Sequence, residues 1–291
     1  MHPEVSPSGA APALTGRRLG IGLAFAGMLL ISLDSLFTRA ASVDGWTVAF
    51  WFGTVMCPTM IVYLAIGSRT GPLARLREDG WPAVASAACQ AISALCFVLA
   101  VKNTAIANVV VIIAAAPVFA AVISRLALGE RTSTRVWIAI GGAMVGIVIV
   151  MSGSFGGGSM KGDLLALTAI VAFAVNLTIW RRYPSVSRSL GMAMAGLLMA
   201  VAALGPADIF GHDLETFTYL FLMGGVTGPA GRVALASSTR YLPAAEVGLF
   251  APVETVAATT WAWLAFGESP SLNTAAGGVV VLGALVCGTR R

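Results

Sequence analysis

Among the polar or ionisable side chains inside the long apolar runs of this chain, eight stand out: Asp34, Gln90, Ser93, Asn108, Asn176, Arg232, Glu246 and Glu254. Groups of this kind are expensive to hold in hydrocarbon, so an intramembrane ionisable residue is a functional candidate by default. Asp34 lies roughly 21 Å along its run from Gly20 at ~1.5 Å per helical residue, in the outer half. Gln90, Ser93 and Glu254 fall near the middle of theirs. Arg232 falls in the inner half of its run, within reach of Glu246 or Glu254. A zwitterionic solute needs a cation for its carboxylate and an acceptor for its ammonium. Arg232 and Glu254 are the deep candidates for those two tasks. The residues also admit plainer roles. Asp34 and Asn176 can bond a neighbouring backbone, and Arg232 can pair with Glu246 or snorkel to headgroups. Glu130 and Glu268, at run ends, read as loop caps or tethers.

A second group of residues bears on motion. Pro117 in the fourth run and Pro252 in the ninth each remove a backbone donor. The eighth run contains Gly224-Gly225-Val226-Thr227-Gly228-Pro229-Ala230-Gly231, where Gly228 and Pro229 mark either a backbone break or close helix packing. Pro117, Gly228, Pro229 and Pro252 are therefore the expected hinge positions. The chain has only two histidines, His2 and His212, both outside the runs. It lacks HExxH and GxSxG, so an enzyme is not expected, nor is a cofactor or a metal. Cys57, Cys89, Cys96 and Cys287 form no CxxC pair and read as packing residues.

The elements that must position these groups are helices in lipid. Of 291 residues, 57% are hydrophobic and 11% charged, and the mean hydropathy is +0.87. A soluble core of this size leaves far more charge facing water. Ten apolar runs follow one another, near 19–38, 45–66, 81–101, 104–124, 136–151, 163–179, 190–204, 217–237, 244–266 and 272–287. Most reach the roughly 17–25 residues a spanning helix needs. With a cytoplasmic N-terminus, fourteen basic residues fall inside and three (Arg39, Lys102 and Lys161) outside. That asymmetry accounts for the net charge of +5 without a nucleic-acid partner. Trp46, Trp81, Trp137, Trp180, Trp261 and Trp263 read as interface anchors.

The chain also repeats itself. Lys102, Ala107 and Gly129-Glu130 match Arg240, Ala245 and Gly267-Glu268 at a spacing of 138. Gly20, Asp34 and Arg39 match Gly162, Asn176 and Arg181 at a spacing of 142. A duplicated unit of five spans lies inverted relative to its twin, with a substrate site between the halves. The expected organisation is a disordered cytoplasmic tail over 1–16, a first five-helix repeat over 17–152, an external Gly/Ser linker over 153–161 and a second repeat over 162–291. The expected fold class is an all-α membrane protein of ten transmembrane helices.

The residues Asn108–Pro117-Val118…Leu128-Gly129-Glu130 and Glu246–Pro252-Val253-Glu254…Phe266-Gly267-Glu268 resemble the drug/metabolite transporter superfamily, in its ten-helix EamA-type exporters. Within it, the run Ala251-Pro252-Val253-Glu254-Thr255 looks most like the amino-acid exporter branch that includes YddG. One departure stands out: Thr255 occupies the position matching Pro117, and Pro252 lies three residues earlier, moving the expected kink toward the cytoplasm. The resemblance implies a bacterial inner-membrane carrier with both termini cytoplasmic. It would export small metabolites, neutral or aromatic amino acids first, by alternating access. Its partners would be a small-molecule substrate and the bilayer, with no nucleic acid and a monomeric chain. The substrate-binding set is then Asp34, Gln90, Ser93, Asn108, Asn176, Arg232 and Glu254. A channel or facilitator, or an exporter of other drugs or metabolites, is the rival reading.

Overall fold

In lipid a backbone must satisfy its own N–H and C=O groups, and apolar runs of this length do so as helices. The computed structural model describes residues 10–67, 71–103, 109, 112, 113, 115–151, 159–267 and 272–289. Among them are helices and turns, with no strand. The helices are α1 (Ala10–Ala41), α2 (Gly45–Gly67), α3 (Pro72–Asp79), α4 (Trp81–Asn103), α5 (Ala116–Leu128), α6 (Thr134–Met151) and α7 (Met160–Arg182). They continue with α8 (Arg188–Ala203), α9 (Leu214–Leu222), α10 (Gly228–Ser238), α11 (Ala244–Gly248), α12 (Ala251–Phe266) and α13 (Leu272–Thr289). The 23 residues of α2, α4 or α7 give about 34 Å of helix, enough to cross the hydrocarbon. Outward-facing Val62, Leu126, Ile138, Leu264 and Val279 are exposed, as lipid-facing side chains must be.

The helix bounds add detail to the expected runs. Helix α1 begins at Ala10. Helix α7 begins at Met160, inside the span 153–161 expected as linker; residues 153–158 lie outside the described residues. The short surface helix α3 was not expected at all. It forms because Pro72 fits the first turn and Gly80, at φ 61°, stops the next.

The Gly-Glu pairs have a local cause. Gly129 ends α5 and Gly267 ends α12, each at φ 69°, and each donates its N–H back to a carbonyl of the last turn (Arg125 and Trp263). A left-handed residue after a helix favours glycine because it carries no Cβ. The prolines have a matching role. Pro117 and Pro252 each occupy the second position of a helix that begins there, α5 and α12, where the missing N–H has no intrahelical partner to lose.

Between α9 and α10 the chain makes a π-helical turn over Met223–Thr227, with the Gly228 N–H reaching the Met223 carbonyl. Such bulges concentrate at functional positions. The packing partners are cross-chain: α1 lies against α10 and α12, and α7 against α4 and α5. Helix α2 lies against α8, α6 against α13, and α5 against α11. Where α1 and α10 cross, a Cβ on Gly27 would sit 2.8 Å from the Gly231 carbonyl oxygen, so the two backbones touch.

Candidate functional site

The α1–α10 crossing carries the charges. Seven residues beyond Gly27 on α1, the Asp34 carboxylate accepts from Arg232 Nη1 at 2.8 Å and from Thr227 Oγ1 at 3.1 Å. The π-turn places Thr227 one turn before Arg232, so both donors converge on one carboxylate. The Arg232 guanidinium lies over the Phe52 ring of α2, 4.7 Å from its centroid, a cation–π contact. Gly228 permits this: a Cβ there would fall 3.0 Å from Arg232 Nη1 and 2.7 Å from the Phe52 ring. The expected pairing of Arg232 with Glu246 or Glu254 does not occur. Asp34, two helical turns beyond the Gly27–Gly231 contact, is nearer.

Glu254 stands in the first turn of α12. It is half-buried and, among the described residues, makes no hydrogen bond or ion pair. The N-terminal dipole of α12 offsets its charge by only about 0.3–1 kcal/mol. Two turns further along α12, Trp261 Nε1 donates to Ser32 Oγ at 2.8 Å, fixing α12 against α1. Trp180, expected as an interface anchor, is only 2% exposed.

The α7–α4 crossing is neutral. Buried Asn176 accepts from Ser86 Oγ at 2.7 Å and donates through Nδ2 to Gln90 Oε1 at 2.7 Å. Asn176 and Gln90 are thus brought together, apart from the charged group. Ser93 is half-buried one turn along α4 from Gln90. Asn108, and with it Glu268, lies outside the described residues.

Two further ion pairs join distant parts of the sequence. Arg17 Nη1 meets Glu246 Oε2 at 2.6 Å, linking α1 to α11. Arg181 Nε meets Glu130 Oε1 at 2.7 Å, and its Nη1 also donates to the Thr239 carbonyl at 3.2 Å. A cavity of about 180 Å³ lies between these pairs, bounded by Ser124, Glu130, Thr132, Pro243 and Glu246. It is smaller than the roughly 300–1,000 Å³ of small-molecule sites and holds none of the Asp34 group, which remains the better candidate.

Sequence reasoning missed Phe52, Thr227 and Ser86 as partners. Thr227 was visible inside the Gly/Pro-rich segment. Phe52, one apolar residue among many, left no signal. Arg17 was counted only as a charge on one side, and Arg181 as that and as the repeat partner of Arg39.

These polar contacts lie at crossings between helices of an all-helical, lipid-facing chain, and the family comparison bears directly on what such a chain is. The model of the EamA-like transporter family matches residues 18–152 and again residues 160–289. The chain belongs to the EamA-like transporter family. It is a multi-pass membrane protein of a transporter family.

Among curated proteins, it is 24% identical over 277 residues to the pseudopaline exporter CntI of Pseudomonas aeruginosa, covering 93% of this chain and 96% of that protein. It is 29% identical over 189 residues to the uncharacterized transporter YdfC of Bacillus subtilis, covering 61% of this chain. That match spans 60% of the Bacillus protein. A solved crystal structure superposes with a TM-score of 0.79 at 17% identity, covering 92% of this chain and 96% of the other, a likeness of fold.

Proposed function

We propose that this EamA-family protein is a secondary exporter of small metabolites that works by alternating access between two inverted five-helix halves. One observation carries the reading: the polar contacts at the site join one half to the other. Asp34 of the first half meets Thr227 and Arg232 of the second, Ser86 and Gln90 meet Asn176, and Ser32 meets Trp261. A solute bound between the halves can therefore bias how they pack.

The packing pattern supports the inversion. Exchanging the halves turns the α1–α10 contact into α7–α4 and the α1–α12 contact into α7–α5. The pairs α2–α8 and α6–α13 map onto themselves. The repeated family match over 18–152 and 160–289 supports the same division. Ion pairs Arg17–Glu246 and Arg181–Glu130 also cross between halves, and would hold one end shut while the other opens.

Neutral and aromatic amino acids are the substrates favoured by the Ala251–Thr255 run, and export is the direction borne by the name of the Pseudomonas relative. The location is the bacterial inner membrane with both termini cytoplasmic, the arrangement that fourteen inside basic residues favour. In a cysteine-free background, a cysteine at position 159 should react with impermeant reagent in intact cells and one at 133 should not; the reverse pattern inverts the orientation. The helix starts at Pro117 and Pro252 are the proposed hinges. Pro117→Ala should slow exchange at unchanged folded yield, and an unaltered rate removes it from the mechanism.

The deciding experiment for the carrier is counterflow in proteoliposomes. Unlabelled tryptophan loaded inside should accelerate uptake of labelled tryptophan. Passive equilibration without such acceleration favours a channel.

A further inference from the structure

Apart from the Asp34 group, the cavity of about 180 Å³ lies between the halves, at the end proposed as cytoplasmic. Arg131 and Ser133 line it from the first half, and Pro243, Ala245 and Glu246 from the second. The Arg131 side chain makes no ion pair or hydrogen bond among the described residues, and it does not reach Glu246 across the cavity. Ser133 Oγ accepts from the Val136 N–H at 3.4 Å, which leaves its own hydrogen free to donate. Both residues stand beside the first turn of α6, where the helix dipole favours a negative group. On the opposite wall Glu246 gives Oε2 to Arg17, while its Oε1 makes no hydrogen bond among the described residues. Glu246 is neutralised by Arg17 and Glu130 by Arg181, so Arg131 is the odd charge on the lining.

We infer that this cavity is a second ligand site, for small carboxylic acids that also carry an amino or hydroxyl group. The carboxylate docks on Arg131 and Ser133, and the amino or hydroxyl group donates to Glu246 Oε1. The short apolar body rests on Pro243 and on Ala245, which is only 2% exposed. Volume sets the size class. A dry cavity of about 150 Å³ holds benzene, so this one takes roughly seven non-hydrogen atoms, enough for alanine or lactate and too few for tryptophan. Water is a poorer occupant, since each molecule fills only about 30 Å³ and brings no charge to Arg131. The bound acid touches both halves and so favours the packing in which the Arg17–Glu246 pair is made. The site goes beyond the exporter reading and does not rest on it.

Four compounds built on one short carbon body separate the contacts: alanine, lactate, propionate (no donor) and ethylamine (no carboxylate). Titrated into the purified full-length protein, alanine and lactate should bind saturably, propionate more weakly, and ethylamine about tenfold or more below alanine, the value of one charge-assisted contact. Arg131→Gln alters an exposed side chain outside any ion pair and should lower alanine, lactate and propionate affinity alike by about tenfold, leaving ethylamine unchanged. Glu246→Gln should bring alanine down to the level of lactate, because a neutral acceptor gives the ammonium no charge assistance. If Glu246→Gln does not fold, the wild-type ranking and Arg131→Gln still decide. Tryptophan should not displace alanine. The inference is overturned by absent saturable binding, by ethylamine binding as well as alanine, by full alanine affinity in Arg131→Gln, or by displacement with tryptophan. Tryptophan counterflow reports on the carrier separately, so either reading can fail while the other stands.

Discussion

The α1–α10 and α7–α4 crossings have matching places in the two halves, yet one is charged and the other is not. Asp34 and Asn176 stand 142 residues apart at corresponding positions of α1 and α7. Each bonds a helix of the opposite half. Asn176, an amide, is served by a hydroxyl and another amide, and that network is closed and neutral. Asp34, a carboxylate, requires a cation, and Arg232 supplies it. The backbones differ as well. Gly27 lets α1 touch α10, whereas Ala169 stands at the corresponding place in α7. The two matching crossings thus differ in chemistry: one is closed by neutral amides and a hydroxyl, the other by an ion pair.

The largest test of that contrast is Arg232→Met, which strands the Asp34 carboxylate without its cation. It should cost about 3–5 kcal/mol of stability, read by unfolding in detergent, and the double variant Asp34→Asn/Arg232→Met should recover much of it. A loss no greater than that of Asn176→Ala would erase the distinction between the crossings.

Next, Gly27→Val should cost about 1–3 kcal/mol because its side chain meets the α10 backbone. Gly22→Ala, with nothing within 4 Å, should instead gain up to about 1 kcal/mol from helix propensity. Equal thermal shifts for the two would mean that the close crossing is not a stability determinant.

A smaller effect sharpens the equivalence of the halves. Gly129→Ala and Gly267→Ala each force a Cβ into a left-handed conformation, worth about 1–2 kcal/mol, and should lower the melting temperature alike. A marked inequality would show that the two helix ends are not held in the same way.

Smallest of all is Asn176→Ala, expected at about 0.6 kcal/mol, the average for a hydrogen bond between helices in a membrane. Transport should persist in this variant. Abolished transport at normal stability would move the α7–α4 crossing from fastening into the substrate path.

The helical nature of the protein was legible in the sequence because lipid leaves an apolar run of some twenty residues little alternative. The Gly-Glu motifs were legible for a similarly local reason: a left-handed helix end selects glycine at Gly129 and Gly267. The candidacy of Asp34, Arg232 and Glu254 followed from the cost of charge in hydrocarbon, which depends on where a residue sits and not on what it touches. Their partnership did not follow. Arg232 is 22 residues from Glu254 and 198 from Asp34, and its choice of Asp34 depends on the Gly27–Gly231 contact, the π-turn at Met223–Thr227 and the open space at Gly228. Those features set distances between helices far apart in sequence, where one ångström of backbone approach decides which carboxylate a guanidinium reaches. Periodicity and composition specify what each helix faces on average, but only the packed tertiary structure determines which carboxylate the guanidinium answers.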